Sequence, residues 1–201
     1  MSVSIVDYGL GNLGSVANML KRVGAQNNRV STPDEILAAD RILLPGVGAF
    51  DKGTALLQDA GLSDALREFA ASGRPLLGIC LGMQLLLDSS EEGVSKGLGL
   101  IPGRSLRFED APGLRVPHMG WNEVSRRHED PVLASLPDEN RFYFVHSYRV
   151  VPEREEDVLA TTTYGASFAS MIRRDNVIGA QFHPEKSHAF GMVILRNFAD
   201  L

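Results

Sequence analysis

Apolar positions along the chain follow two rhythms that change places before its middle. In the first part, short apolar runs alternate with stretches of helical spacing. Val3-Ser4-Ile5-Val6, Arg41-Ile42-Leu43-Leu44 and Pro75-Leu76-Leu77-Gly78-Ile79 read as buried strands, the second cut off by Pro45. After the first strand, Leu13, Val16, Ala17, Leu20 and Val23 share one helical face, and Gly24 stops that helix. Thr32-Pro33-Asp34-Glu35 is a helix start: Thr32 can cap, Pro33 suits the first helical position, and Glu35 can close a capping box. The spacing predicts further helices near 51–60 and 62–71, and one over 81–87 directly after the third strand. Strands alternating with helices imply parallel βαβ units and a sheet covered on both faces.

The rhythm changes near Ser89. From there to about Gly179 the chain shows short strand-like runs broken by Gly, Pro and Asn, at 105–108, 121–124, 142–145, 148–151, 158–162 and 168–173. Runs of this kind suit antiparallel hairpins. A further strand follows over 177–182, and a last helix starts near Ser187 or His188 and carries Phe190, Val193, Ile194 and Phe198. The expected fold is α/β and flavodoxin-like: a mainly parallel sheet with helices on both faces, plus an antiparallel section in the second half, built as one domain over residues 1–201.

Composition narrows the function. Hydrophobic residues make up 44% and charged residues 22%, which suits a packed globular chain. The net charge of -5 argues against nucleic-acid binding, and the doublets Arg126-Arg127 and Arg173-Arg174 read as solvated surface. No apolar run reaches the roughly 20 residues of a membrane span. Met1-Ser2-Val3-Ser4-Ile5 lacks the basic start and apolar stretch of a signal peptide, so a cytoplasmic protein is expected.

The single cysteine carries the chemistry. Gly78-Ile79-Cys80-Leu81-Gly82 has the form of a nucleophile elbow, with Cys where hydrolases of another fold carry Ser. A sharp strand-to-helix turn would push the side chain out of the sheet, and the flanking glycines would let neighbouring backbone approach. The helix N-terminus favours a thiolate, and the free N–H of Leu81 would face an oxyanion. A structural cysteine in tight strand–helix packing would show the same spacing.

A thiolate needs a proton acceptor, and five histidines are available: His118, His128, His146, His183 and His188. His183 stands out in Gln181-Phe182-His183-Pro184-Glu185. Pro184 keeps His183 extended, and residues two apart on an extended chain point the same way. Glu185 can therefore reach His183, fix its tautomer and stabilise an imidazolium. The pair also follows a buried strand, where parallel-sheet sites gather. A surface His–Glu pair ahead of a helix would have this spacing too.

These two segments resemble the class I, triad-type glutamine amidotransferases. Asp7-Tyr8-Gly9-Leu10-Gly11-Asn12, Pro45-Gly46-Val47-Gly48-Ala49-Phe50, Pro117-His118-Met119-Gly120-Trp121-Asn122 and Tyr143-Phe144-Val145-His146-Ser147-Tyr148 narrow the resemblance. With Gln181 to Ser187, they are similar to the glutaminase subunits of imidazole glycerol phosphate synthase, nearly end to end. The resemblance implies Cys80 as nucleophile, His183 as base and Glu185 as its orienting carboxylate, with Val47 and Leu81 supplying oxyanion N–H groups. It implies that Gly48, Gln84, His146, Ser147 and Tyr148 hold the amino-acid end of glutamine, although 143–148 also reads as ordinary sheet. It further implies a heterodimer with a (β/α)₈-barrel synthase subunit that takes up the ammonia in histidine biosynthesis. Asn12, Met119, Trp121 and Lys186 would face that partner, while Trp121, the one tryptophan, suits a core position equally well. No metal or organic cofactor is implied.

Three other readings compete. Gly9-Leu10-Gly11-Asn12-Leu13-Gly14 fits the dinucleotide fingerprint, with Asp34 near the required distance but inside a helix start. The elbow alone also fits another cysteine hydrolase of similar fold, and a binding subunit could carry a structural cysteine.

Overall fold

The computed structural model describes residues 2–109 and 113–201, so Met1, read above with the N-terminus, lies outside the described residues. In chain order the elements are β1 (Ser2–Val6), α1 (Leu13–Arg22), β2 (Gln26–Val30), α2 (Pro33–Ala38), β3 (Ile42–Gly46), α3 (Phe50–Asp59), α4 (Leu62–Ala71), β4 (Leu76–Cys80) and α5 (Leu81–Leu85). There follow β5 (Ser89–Ser90), β6 (Gly103–Arg107), β7 (His118–Asn122), β8 (Ser125–Arg126), β9 (Phe142–His146), β10 (Tyr148–Pro152), β11 (Val158–Tyr164), β12 (Ala166–Arg174), β13 (Val177–Ala180) and α6 (His188–Asp200).

Strands β2, β1, β3, β4 and β13 lie side by side and run parallel. That is the order of a flavodoxin-like doubly wound sheet, whose ligand sites open beyond the strand C-termini. Past β13 the sheet turns antiparallel through β12, β10 and β6. Strands β7 and β9 form a separate antiparallel pair. Period-two alternation splits the core into two layers. Val3, Ile5, Leu43, Leu77 and Ile79 pack with α1 and α6, whereas Val6, Ile42, Leu44 and Leu76 pack with α2, α3 and α4.

Local signals explain the helices. The side chain of Asn12 accepts from Ser15 N–H at the start of α1, and Thr32 and Glu35 form the expected capping box on α2. Three expectations are corrected, and one strand, β2, was not anticipated. Strand β2 has no apolar run, because Gln26–Val30 is a polar edge strand with only Val30 buried. Strand β3 does not end before Pro45 but continues to Gly46. Its pairing with β1 ends at Leu43, so no strand stands where the missing N–H of Pro45 would point. The carbonyl of Pro45 accepts the Tyr8 hydroxyl at 2.8 Å instead. Helix α5 ends at Leu85 rather than Leu87, tightened by bonds from Leu86 and Leu87 to carbonyls three residues back. Strand β7 covers His118–Asn122, three residues earlier than its apolar signal, because its pairing with β9 sets the register.

Candidate active site

Strand β4 delivers Cys80 to the C-terminal edge of the parallel sheet, and α5 begins at the next residue. Cys80 has φ 55° and ψ −110°, a left-handed conformation that side-chain-bearing residues rarely adopt. The glycines around it are required by packing. A Cβ on Gly82 would fall 2.0 Å from the Leu44 carbonyl oxygen, and one on Gly78 would fall 2.6 Å from that of Gly82. One on Gly46 would meet Gly82 N and the Tyr8 hydroxyl at 2.8 Å each. Leu81 is the first residue of α5, so its N–H has no partner within the helix.

His183 follows β13, the parallel neighbour of β4, three residues past that strand's end. Its backbone N–H donates to the Tyr143 carbonyl at 2.9 Å, and its carbonyl accepts the Ser187 hydroxyl at 2.6 Å. Pro184 opens a single 3₁₀ turn ending at Lys186, and a Cβ on Gly191 would strike the Pro184 carbonyl, so α6 seats tightly against the turn. Nδ1 of His183 lies 2.8 Å from Oε1 of Glu185, with both side chains almost fully buried. A carboxylate can only accept, so Nδ1 carries the hydrogen and Nε2 is left for chemistry. Nε2 is buried, without a hydrogen bond of ordinary length among the described residues. Burial alone would lower the pKa of His183. The hydrogen bonds and negative charges of Cys80 and Glu185 outweigh it and raise the value to about 9. The protonated imidazolium is the state this setting favours for His183.

Cys80 and His183 border one cleft of about 360 Å³. Val47, Gly48, Leu81 and Gln84 border it on the elbow side, and His146, Ser147 and Tyr148 on the other. The structure thus brings together every residue expected at the nucleophile, the base, the oxyanion and the substrate. Val47 is exposed, in a turn whose next residue, Gly48, has φ 108°. Gln84 Nε2 bridges the Tyr148 carbonyl and Gln181 Oε1, at 3.4 and 3.3 Å. Among the described residues no cluster of three or more His, Cys, Asp or Glu side chains could hold a metal ion.

Four residues enter without having been anticipated. Glu92, Pro117 and Val145 also line the cleft, and Gln181 Nε2 donates to Cys80 Sγ at 3.8 Å. Gln181 stood within a quoted motif but carried no chemical signal of its own. Glu92 arrives through the loop between β5 and β6, and nothing in its local sequence points to the cleft.

The class I glutamine amidotransferase family matches residues 4–201. The chain belongs to that family. Within it, the chain is 49% identical over 200 residues to imidazole glycerol phosphate synthase subunit HisH 2 of Pseudomonas aeruginosa, covering 99% of each. It is 50% identical over 200 residues to the subunit HisH of Moorella thermoacetica, covering 99% of this chain and 94% of that protein. These relatives place it among the HisH-type amidotransferases. Solved structures agree on the fold. PurLQS from Thermotoga maritima superposes with a TM-score of 0.76 at 20% identity, covering 99% of this chain and 97% of that one. A structure described as a glutamine amidotransferase gives 0.72 at 21% identity, covering 99% of each.

Family membership sets aside the dinucleotide reading of this amidotransferase, and the fold agrees. Gly11 packs on Pro45, where a Cβ would sit 3.0 Å from the ring, and Asp34 lies in the first turn of α2 rather than at a strand end. The core alternative for Trp121 is likewise corrected: the residue is 47% exposed and Met119 63% exposed, because β7 turns that face outward. Trp121 stacks on His188, and Lys186 Nζ sits 5.3 Å from the Tyr143 ring beside it. Asn12 is exposed at the cap of α1, which packs against the Pro184–Lys186 turn. No helix among the described residues is long and apolar enough to cross a membrane.

Proposed function

We propose that this chain hydrolyses glutamine and supplies the ammonia to a synthase partner that makes imidazole glycerol phosphate in histidine biosynthesis. The carrying observation is the buried His183–Glu185 pair, 2.8 Å apart, bordering the same cleft as a left-handed Cys80. The thiolate of Cys80 attacks the side-chain amide carbon, and the amide oxygen takes up the negative charge. The N–H groups of Leu81 and Val47 hold that oxyanion. The Nε2 proton of His183 passes to the departing nitrogen, which leaves as ammonia, and a thioester remains. Water then attacks the thioester and gives its proton to His183. Collapse of the second oxyanion expels the thiolate and leaves glutamate. Glu185 keeps the proton on Nδ1 throughout, so Nε2 alone exchanges.

Among the described residues the carboxylate of Glu92 is the one acidic side chain lining the cleft, and it suits the α-ammonium of glutamine. Gln84, His146 and the Ser147–Tyr148 backbone border the same cleft. The exposed Met119 and Trp121, with Lys186 and Asn12, form the face offered to a (β/α)₈-barrel synthase subunit in a heterodimer. Since Val47 stands in a glycine-flanked turn, the oxyanion site is completed when that partner and its nucleotide ligand are bound, and the isolated chain is a poor glutaminase. Glutamate release is the test, with and without the barrel subunit and its ligand, comparing wild type with Cys80→Ala. Partner-dependent activity lost in Cys80→Ala is expected. Glutamate release that survives in Cys80→Ala would exclude the proposed nucleophile.

A further inference from the structure

Glu92 stands on a turn held locally only through Ser90, whose hydroxyl accepts Glu92 N–H at 3.1 Å and whose carbonyl accepts Gly93 N–H at 3.4 Å. The segment before it is tied to the sheet: Glu91 N–H donates to the Ser105 carbonyl at 2.9 Å, and Arg107 N–H to the Glu91 carboxylate at 2.8 Å. The segment after it is tied to α5, where Leu98 N–H donates to the Leu85 carbonyl at 2.8 Å. Between them no apolar anchor is available, because Val94 is 96% exposed. The turn is clasped instead by the start of α3. Phe50 N–H donates to Glu92 Oε2 at 2.8 Å, serving a helix whose N-cap, Ala49, has no side-chain oxygen. The carboxylate of the next residue, Asp51, accepts Ser95 N–H at 3.0 Å on one oxygen and Val94 N–H at 3.1 Å on the other. Gly93 makes this possible, since a Cβ there would lie 2.0 Å from Asp51 Oδ1. The two backbone donors also hold the Asp51 carboxyl below its ordinary pKa, so it stays charged.

We propose that Asp51 is a positioning residue for substrate selection: by clasping the Val94 and Ser95 N–H groups it aims Glu92 at the α-ammonium of the substrate. This rests on the glutaminase reading. Asp51 touches neither the cleft nor the reacting atoms; it acts through Glu92. Its loss therefore weakens recognition of an amino group and leaves the chemistry at Cys80 unchanged.

The experiment compares glutamine with glutaramate, the same amide lacking the α-amino group, using the complex with the barrel subunit and its nucleotide ligand. In Asp51→Ala, KM for glutamine rises about tenfold with kcat within about twofold, the size expected for a partly lost charge-assisted contact. The kcat/KM for glutaramate stays at the wild-type value. Gly93→Ala, which displaces the carboxylate by another route, repeats this pattern, and Asp51→Asn, which keeps one acceptor, falls between. In a Glu92→Gln background Asp51→Ala changes discrimination no further. Equal losses for both amides, or an effect that persists in Glu92→Gln, would overturn the role given to Asp51. If wild type fails to prefer glutamine over glutaramate, or Glu92→Gln leaves the preference intact, the reading of the cleft itself falls and takes the inference with it.

Discussion

His118 Nδ1 lies 3.0 Å from His146 Nε2 in the interior between β7 and β9, and the contact fixes the protonation of both rings. His146 Nδ1 is 2.8 Å from the Tyr148 carbonyl, which can only accept, so Nδ1 carries the hydrogen. His146 Nε2 then accepts from His118 Nδ1–H, and His118 Nε2 accepts from the Asn122 amide at 3.3 Å. Asn122 also donates to the Thr163 carbonyl at 2.9 Å. The chain of bonds runs in one direction and needs both imidazoles neutral. Burial enforces this, lowering His118 to about 4 and His146 to about 3.

Acid should therefore weaken the fold through these two rings. Their folded pKa values lie below the unfolded value near 6.5, so the unfolded chain binds more protons and stability rises with pH in that window. Stability is expected to fall as pH drops from about 6.5 toward 4 and below. Urea midpoints across this range should show a shallower slope in His118→Asn, whose amide can still donate to His146. An unchanged slope would count against a neutral, buried His118.

His183 has the opposite sign. Its folded value of about 9 lies above the unfolded one, so its stabilising contribution is complete below about 6.5 and disappears as pH rises through 9. The difference in urea midpoint between wild type and His183→Asn should shrink between pH 7 and pH 10. A difference that stays constant over that range would remove the imidazolium from the account.

Glu185→Gln preserves the volume beside His183 but frees Nδ1 from its fixed tautomer. A loss on the order of 10²–10⁴ in kcat/KM for glutamine is expected, with the thermal midpoint nearly retained. Steady-state glutamate release by the complex gives the first quantity and calorimetry the second. Activity near wild type would mean that His183 does not depend on this carboxylate.

Cys80 holds a conformation that costs a side-chain-bearing residue about 1–3 kcal/mol. Of two inactive replacements, Cys80→Gly should then be more stable than Cys80→Ala, by about 1 kcal/mol once the greater freedom of unfolded glycine is counted. Denaturant titration of both variants checks the order. Equal or reversed stability would show that the elbow stores no strain.

Trp121 tests the proposed partner face. Trp121→Ala should change the stability of the isolated chain by less than about 0.5 kcal/mol, because the ring is half exposed, yet weaken partner binding by about 2 kcal/mol or more. As the one tryptophan of the chain, it should also shift its emission to the blue when the barrel subunit binds. Binding at wild-type affinity in Trp121→Ala would move the docking face elsewhere.

Much of this protein is written locally in its sequence. The elbow is legible because Gly78, Cys80 and Gly82 sit within five residues, and the crowding of Gly82 on Leu44 and of Gly78 on Gly82 leaves a compact pattern. His183 and Glu185 are legible because Pro184 keeps His183 extended, although the two side chains meet through the 3₁₀ turn Pro184–Lys186 and not along an extended chain. The parallel half follows from apolar strands buried on both faces. Tertiary structure alone decided the rest. Polar β2 exists because an edge strand can pair through its backbone with little apolar burial. Glu92 reaches the cleft only when the loop between β5 and β6 folds over the start of α3, and His118 meets His146 only through the register of β7 on β9. Such contacts join residues tens of positions apart, and their geometry is set by sheet order and loop closure, neither of which leaves a periodic trace along the chain.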